Sequence, residues 1–301
     1  MLDLIIIGAG PAGITASVYA ARKRMEFLVI SQDIGGQTAW SGDIENYTGY
    51  RFITGPELTA RFEEHMREYG IKVNEGERAR AVGKTGNSIS VKTDKADYEA
   101  RTVIIASGKR TRELNVPGEK EYKNKGLTYC ATCDGPLFNG RDVAIIGAGN
   151  SALDAALQLI NIASRVYVVN INRDFTGDPI MREKVVANNK VEVLSETKVT
   201  EILGEKTVNG IRIKRQQKEE VIPVKGVFVE IGLVPNSELA PSLEKNEIGE
   251  IRVDNYNRTS VPGIFAAGDV TDVPEKQIII AAGEGSKAAL AAFRYIAQNK
   301  F

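Results

Sequence analysis

Cys130 and Cys133 are the two cysteines of the chain, and they enclose Ala131-Thr132. Thiols spaced C-x-x-C can close a small reversible disulfide, and that setting can draw a thiol pKa down toward neutrality. Two other readings compete. Half of a zinc site is one, but zinc takes about four ligands, and the chain adds a single distant histidine, His65. A pair of inert core thiols is the other, and spacing alone leaves it open. His65 lies in the charged helical stretch RFEEHMREYG and is expected to be a solvated surface residue. Most chemistry that needs an imidazole base is therefore excluded. Asp134 directly follows Cys133. A partly desolvated carboxylate can carry the proton that thiol chemistry moves; the plainer reading is a turn residue ahead of Gly135-Pro136.

Two glycine-rich turns show what must position these groups. Gly8-Ala9-Gly10-Pro11-Ala12-Gly13 fits G-x-G-x-x-G between a β-branched run and an Ala-rich helical stretch. The first glycine permits the tight turn, the second lets a pyrophosphate approach backbone, and the third lets helix and strand pack closely. The helix N-terminus offers N–H groups to the phosphates. Gly147-Ala148-Gly149-Asn150-Ser151-Ala152 repeats the pattern with Ala in third place, which the fingerprint tolerates. Each helix is followed by a second β-rich run, FLVIS and RVYVVN. Two βαβ units predict an α/β protein with two Rossmann-like, three-layer dinucleotide-binding domains. Two dinucleotide sites in one chain imply electron traffic between two cofactors.

At 301 residues the length suits two domains. The tail, GIFAAGDV and a helix from about Ala281 to Ala297, has no third glycine fingerprint, so it is expected to return to the first domain. The expected division is 1–112 and 241–301 for the first domain and 113–240 for the second, which carries the cysteines. Net charge is zero, which gives no sign of a nucleic-acid partner or an anionic membrane surface. No run approaches the roughly 18 apolar residues that span a bilayer, and the apolar start leads straight into the glycine turn. A cytoplasmic location is expected.

Further motifs give a resemblance. Y-C-A-T-C-D-G-P ahead of the second turn, G-G-Q-T at Gly35–Thr38, I-E-N-Y at Ile44–Tyr47, A-S-G at Ala106–Gly108 and F-A-A-G-D-V at Phe265–Val270 follow one another in the order seen in low-molecular-weight thioredoxin reductases. From Gly226 onward, KQIIIAAGEGSKAAL above all, the chain also resembles the flavoprotein subunit of alkyl hydroperoxide reductase. That subunit carries extra thioredoxin-like domains ahead of its FAD motif; this chain begins at the motif, so a separate disulfide partner is expected.

The resemblance implies FAD in the first domain and NADH or NADPH in the second. Gly8, Gly10, Pro11, Ala12 and Gly13 would hold the FAD pyrophosphate, and Gly35, Gly36, Gln37, Thr38, Ala106, Gly108 and Gly268 would line the cofactor. Asn46 would lie close to the flavin, Asp269 on the ribityl chain, and Lys276, Gln277 and Ile278 along the flavin edge. Gly147, Gly149, Asn150, Ser151, Ala152, Asp154, Asn170 and Arg173 would face the nicotinamide nucleotide. Cys133 would exchange electrons with the flavin, Cys130 would attack the partner disulfide, and Asp134 would be the acid/base. The implied partner is thioredoxin or a thioredoxin-like or glutaredoxin-like protein, and the implied assembly is a homodimer with one domain rotating against the other.

The resemblance has one departure. NADPH-dependent relatives place arginines after the strand, where Ile171, Asn172 and Thr176 stand here, and Arg173 comes one place late. Asn170 stands where an NADH site usually has a carboxylate, and Asp154 is one methylene shorter than the usual Glu. Weak discrimination between NADH and NADPH is therefore expected. A non-nicotinamide donor (reduced ferredoxin or a deazaflavin) is one alternative, and an FAD-bound redox sensor that does not turn over is another.

Overall fold

The computed structural model describes every residue except Gly42, Glu45, Lys300 and Phe301, with Asp43 and Cys133 described by backbone alone. The chain divides into two compact units, Met1–Arg110 with Val234–Phe301, and Thr111–Leu233. The crossings fall on Lys109–Thr111 and Leu233–Pro235, which pair as a two-stranded ribbon. The sequence expectation had put them at 112/113 and 240/241.

In the first unit the strand Leu2–Ala9 is buried on both faces, and its pleat sorts the apolar run between two cores. Leu4 and Ile6 enter the core under the helices, while Ile5 and Ile7 enter the core on the other side of the sheet. An unbroken apolar run is what a central strand with parallel neighbours requires, and both neighbours, Phe27–Ile34 and Asp97–Ile105, are parallel to it. The long strand Asp97–Ile105 serves two partners on its far side. Its first half pairs antiparallel with Ser88–Thr93 (Ile89 opposite Ala100), and its second half takes Ile264–Ala266 in parallel (Ile264 opposite Val103). The returning tail thus completes this sheet.

The last helix, Ile278–Gln298, packs along the first, Pro11–Arg22, through alanines: Ala12, Ala16 and Ala20 against Ala281, Ala288 and Ala292. Closest approach is at Gly285, where a Cβ would lie 2.0 Å from the Ala12 carbonyl oxygen. Small residues let two helix backbones come this near, which is why both helices read as Ala-rich.

The second unit repeats the plan. Its parallel sheet runs in the order Val191–Leu194, Arg165–Val169, Asp142–Ile146, Gly226–Val229, Leu127–Thr128. The helices Asn150–Leu159 and Pro179–Val186 share one core with the sheet, through Leu153, Leu159 and Val185 against Val143, Val168 and Phe228. Three antiparallel strands, Thr197–Gly204, Val208–Arg215 and Lys218–Ile222, pack on the other face through Val199, Ile211 and Ile213. Each unit is a three-layer Rossmann-like sandwich, as the sequence predicted.

Candidate functional site

The first glycine turn is built so that two of its glycines are demanded by packing and one is not. Gly8 has φ +104°, and a Cβ there would lie 2.3 Å from the Ala106 carbonyl oxygen. At Gly13 a Cβ would lie 1.8 Å from the Gly8 carbonyl oxygen. Gly10 differs, since the nearest atom to its missing Cβ is the Gly35 carbonyl oxygen at 3.9 Å. Nothing among the described residues needs a glycine there, so the bare backbone keeps space for something else. Across that space Gly36, at φ +54°, would place its own Cβ 3.5 Å from the Gly10 Cα. The Gly35 N–H donates to the Ala9 carbonyl at 2.7 Å and holds the two glycine segments together.

Helix N-termini make the same point. Thr54 caps the helix Gly55–Glu68 in a reciprocal box with Glu57, and Asp178 caps Pro179–Val186 through the Ile180 and Met181 N–H groups. The helices Pro11–Arg22 and Asn150–Leu159 begin at Gly10 and Gly149 with no side-chain cap. Their first N–H groups are left to an outside acceptor, which suits a phosphate. An FAD pyrophosphate fits this glycine-walled, uncapped turn.

Beside the turn in the first unit lies a buried charged cluster that the sequence reading only partly found. Glu250 pairs with Lys109 at 2.8 Å and with Lys276 at 3.0 Å, and Asn246 donates to it as well. Burial alone would raise the Glu250 carboxyl; the hydrogen bonds from Lys109, Lys276 and Asn246 outweigh it and hold the group below the usual range. Asp269 is pushed up by burial, which Lys276 and Lys109 partly offset and Glu250 reinforces. The Gln37 side-chain amide donates to the Lys109 carbonyl at 2.8 Å, and Asn46 donates to Gln277 at 3.0 Å. Gly268, at φ +76°, approaches Ala12, where its Cβ would be 3.0 Å from the alanine's. The structure therefore gathers Gln37, Asp269 and Lys276 around Lys109 and Glu250, and joins Asn46 to Gln277. Glu45, within Ile44–Tyr47, lies outside the described residues.

In the second unit the turn at Gly147 follows the same logic. Gly147 has φ +141°, and its Cβ would fall 2.0 Å from the Glu230 carbonyl oxygen, so glycine is required. Gly149 has open space, with the Thr176 hydroxyl nearest at 3.8 Å. Ala152 is fully buried and fits where the first turn demands Gly13. Asn150 accepts the Asp178 N–H at 2.7 Å, and Thr176 and Gly177 both donate backbone N–H groups to the Ala148 carbonyl. The loop 172–178 is thereby fastened to the turn. Asn170 is almost wholly buried, accepting the Asn172 N–H and donating to the Asp174 carbonyl. Its amide organises the loop. Arg173 is exposed, and Arg182 reaches the same loop through Asp174 at 3.7 Å.

Cys130 is disulfide-bonded, and the one other cysteine of the sequence, Cys133, has its side chain outside those described. Cys130 leaves the C-terminal end of the strand Leu127–Thr128 and precedes the short helix Ala131–Asp134. Thr128, a residue missed in the sequence, ties this segment together. Its hydroxyl donates to the Asp134 carboxylate in a short hydrogen bond and accepts the Cys130 N–H at 3.1 Å. Thr132 donates to Gln158 at 2.9 Å, and Gln158 donates to Asp154 at 2.7 Å. This chain runs from the C-x-x-C segment to the helix behind the second glycine turn.

Glu230 was missed too. It follows the strand Gly226–Val229, and burial pushes its carboxyl up to about 8, with the Asp154 charge adding to the rise. An acidic residue directly after GVFV, before Gly232, was the available signal.

Comparison with known proteins agrees with this architecture. Residues 2–285 match the family model of pyridine nucleotide-disulphide oxidoreductases. The chain is 43% identical over 300 residues to a Bacillus subtilis protein named NADH dehydrogenase, and 42% identical over 301 residues to an alkyl hydroperoxide reductase subunit of Staphylococcus aureus. It spans 59% of the length of each, with 99% of its own length aligned. Its structure superposes on Lactococcus lactis thioredoxin reductase (FR conformation) with a TM-score of 0.92 at 32% identity, covering 99% of this chain and 100% of that one. FAD and NAD(P)H are the cofactors of this group. No helix among the described residues is long and apolar enough to cross a membrane. With its sequence and fold matched over nearly its whole length, the chain belongs to the pyridine nucleotide-disulphide oxidoreductase family and has the flavin disulfide oxidoreductase fold of the thioredoxin reductases.

Proposed function

We propose that the protein is a disulfide reductase in which the first unit holds FAD, the second binds a nicotinamide nucleotide, and Cys130–Cys133 hands electrons to a thioredoxin-like protein. The observation that carries this reading is the disulfide-bonded Cys130 in the same unit as an uncapped, glycine-walled dinucleotide turn. FAD, when bound, supplies hydride acceptance and two-electron reduction of a disulfide.

The chain's own residues do the rest. Gly10 and Gly149 expose backbone N–H groups to phosphates. In the reduced pair, the Cys130 thiolate attacks one sulfur of the partner's disulfide and expels the other as a thiolate; Cys133 then attacks the mixed disulfide, releasing the reduced partner and restoring the Cys130–Cys133 bond. Asp134, whose carboxylate accepts the Thr128 hydroxyl, carries the proton between thiolate and leaving group in this reading. A homodimer acting in the cytoplasm completes the reading. Neither NADH nor NADPH is strongly preferred, because the loop after Asn170 carries Arg173 alone and Arg182 reaches that loop from the helix Pro179–Val186.

Steady-state turnover with thioredoxin as acceptor tests it. Cys130→Ser should abolish turnover and leave FAD bound, and Asp134→Asn should lower turnover by about 10²–10⁴-fold with FAD content unchanged. Near wild-type turnover in Cys130→Ser overturns the exchange mechanism, and an unchanged rate in Asp134→Asn makes Asp134 a turn residue.

A further inference from the structure

In an open parallel sheet the ligand crosses the C-terminal ends of the strands where their order reverses. In the second unit that point lies between Asp142–Ile146 and Gly226–Val229. Ile146 stands opposite Val229, so the next residues, Gly147 and Glu230, flank the crevice. On the other side of the same strand Thr128 stands opposite Phe228, and two residues further along each chain are Cys130 and Glu230. Glu230 is thus the side chain between the glycine turn and the redox segment.

Strand alternation gives its direction. Phe228 packs into the core under the helix Asn150–Leu159, and Glu230, two residues on, rises on that same side. The helix on that side carries Asp154, whose charge reaches Glu230 and whose carboxylate accepts from Gln158, itself the acceptor of the Thr132 hydroxyl.

We propose that Glu230, coupled to Asp154, is a protonation-dependent determinant of nucleotide binding, neutral in the form that accepts the dinucleotide and repelling it when ionised. This inference rests on the reading of the second unit as the nicotinamide-nucleotide domain.

Each element around Glu230 contributes to the balance. The helix Asn150–Leu159 brings Asp154, and the strand Asp142–Ile146 ends in Gly147, which has no side chain. The strand Leu127–Thr128 leads to Tyr129, whose hydroxyl donates to Glu119 at 2.8 Å, and on to Asp134, whose carboxylate takes the Thr128 hydroxyl. Of the groups on these elements, Asp154 is the one whose charge adds to the rise at Glu230. Burial next to a second carboxylate favours one shared proton over two negative charges, and the resulting titration near pH 8 falls within a measurable window. A second negative charge beside a pyrophosphate would weaken its binding. The sign follows: a raised pKa keeps the group neutral below its titration, so affinity falls as pH rises through it.

NAD+ is the probe, since it binds without reducing the flavin. Titrating it calorimetrically into the oxidised FAD-loaded protein from about pH 6 to about pH 9.5 should show Kd rising by up to about tenfold per pH unit above pH 8. Glu230→Gln should flatten the profile, and Asp154→Asn should move its onset to lower pH. Difference infrared spectroscopy should show a protonated-carboxyl band at neutral pH that is missing in Glu230→Gln. A flat wild-type profile, or the same rise in Glu230→Gln, overturns this inference and leaves the nucleotide site standing. Failure of NAD+ to bind at any pH, with FAD in place, removes both.

Discussion

The two glycine turns follow one design but differ in how tightly they close, and the difference separates glycines that packing demands from glycines that packing leaves free. In the first turn the third position must be Gly13, because a Cβ would meet the Gly8 carbonyl oxygen at 1.8 Å. In the second turn the third position is Ala152, already fully buried without strain on the pattern. The outer glycines Gly8 and Gly147 are pinned in both, by the Ala106 and Glu230 carbonyls respectively. The middle glycines Gly10 and Gly149 are free of such contacts in both. Packing therefore explains the first position of each turn and the third position of one, while the middle position is left for whatever binds.

That comparison can be broken by substitution. Gly13→Ala should have the largest effect, since backbone must move to relieve the clash; the loss should exceed about 4 kcal/mol, with little soluble flavoprotein recovered. Thermal denaturation and flavin content measure it, and a stable yellow Gly13→Ala protein would show that the turn closes less tightly than described.

Gly10→Ala and Gly149→Ala should leave thermal stability of the cofactor-free protein within about 0.5–1 kcal/mol of wild type and separate the two cofactors. The first should lose FAD, and the second should keep FAD while weakening NAD+ binding. Equal loss of FAD in both variants would contradict the assignment of the turns. The smallest effect belongs to Ala152→Gly, which should cost about 1 kcal/mol through helix propensity and a small cavity. A denaturant midpoint shows it, and a much larger loss would mean that the second turn also depends on its third side chain.

How far each feature was legible in the sequence depends on the range of the constraint behind it. The turns at Gly8–Gly13 and Gly147–Ala152 are local: strand, turn and helix occupy some twenty consecutive residues, so spacing reports them directly. The Ala-rich faces of Pro11–Arg22 and Ile278–Gln298 were visible as composition, while their mutual packing depended on the return of the tail. Thr128, Lys109 and Glu250 escaped because nothing near them in sequence marks them, while Glu230 had one local signal that went unread and Lys276 was reached through the resemblance alone. Lys109 and Glu250 are 141 positions apart and meet only when the tail completes the first unit. Asn170 shows what a local reading leaves out: it stands at a strand end where a nucleotide contact is expected, and its amide also organises the loop that follows.

The central claim is that electrons pass from a nicotinamide nucleotide through flavin to the Cys130 disulfide, and anaerobic reduction of the purified flavoprotein tests it most directly. Dithionite should be consumed at about two two-electron equivalents per chain in the wild type, one for flavin and one for the disulfide, and at about one in Cys130→Ser. NADH and NADPH, added separately, should each bleach the flavin, with kcat/KM values within about tenfold of one another, or about 1.4 kcal/mol. A stoichiometry of one equivalent in both proteins, or a flavin that dithionite bleaches while both nucleotides leave it oxidised, would contradict the account.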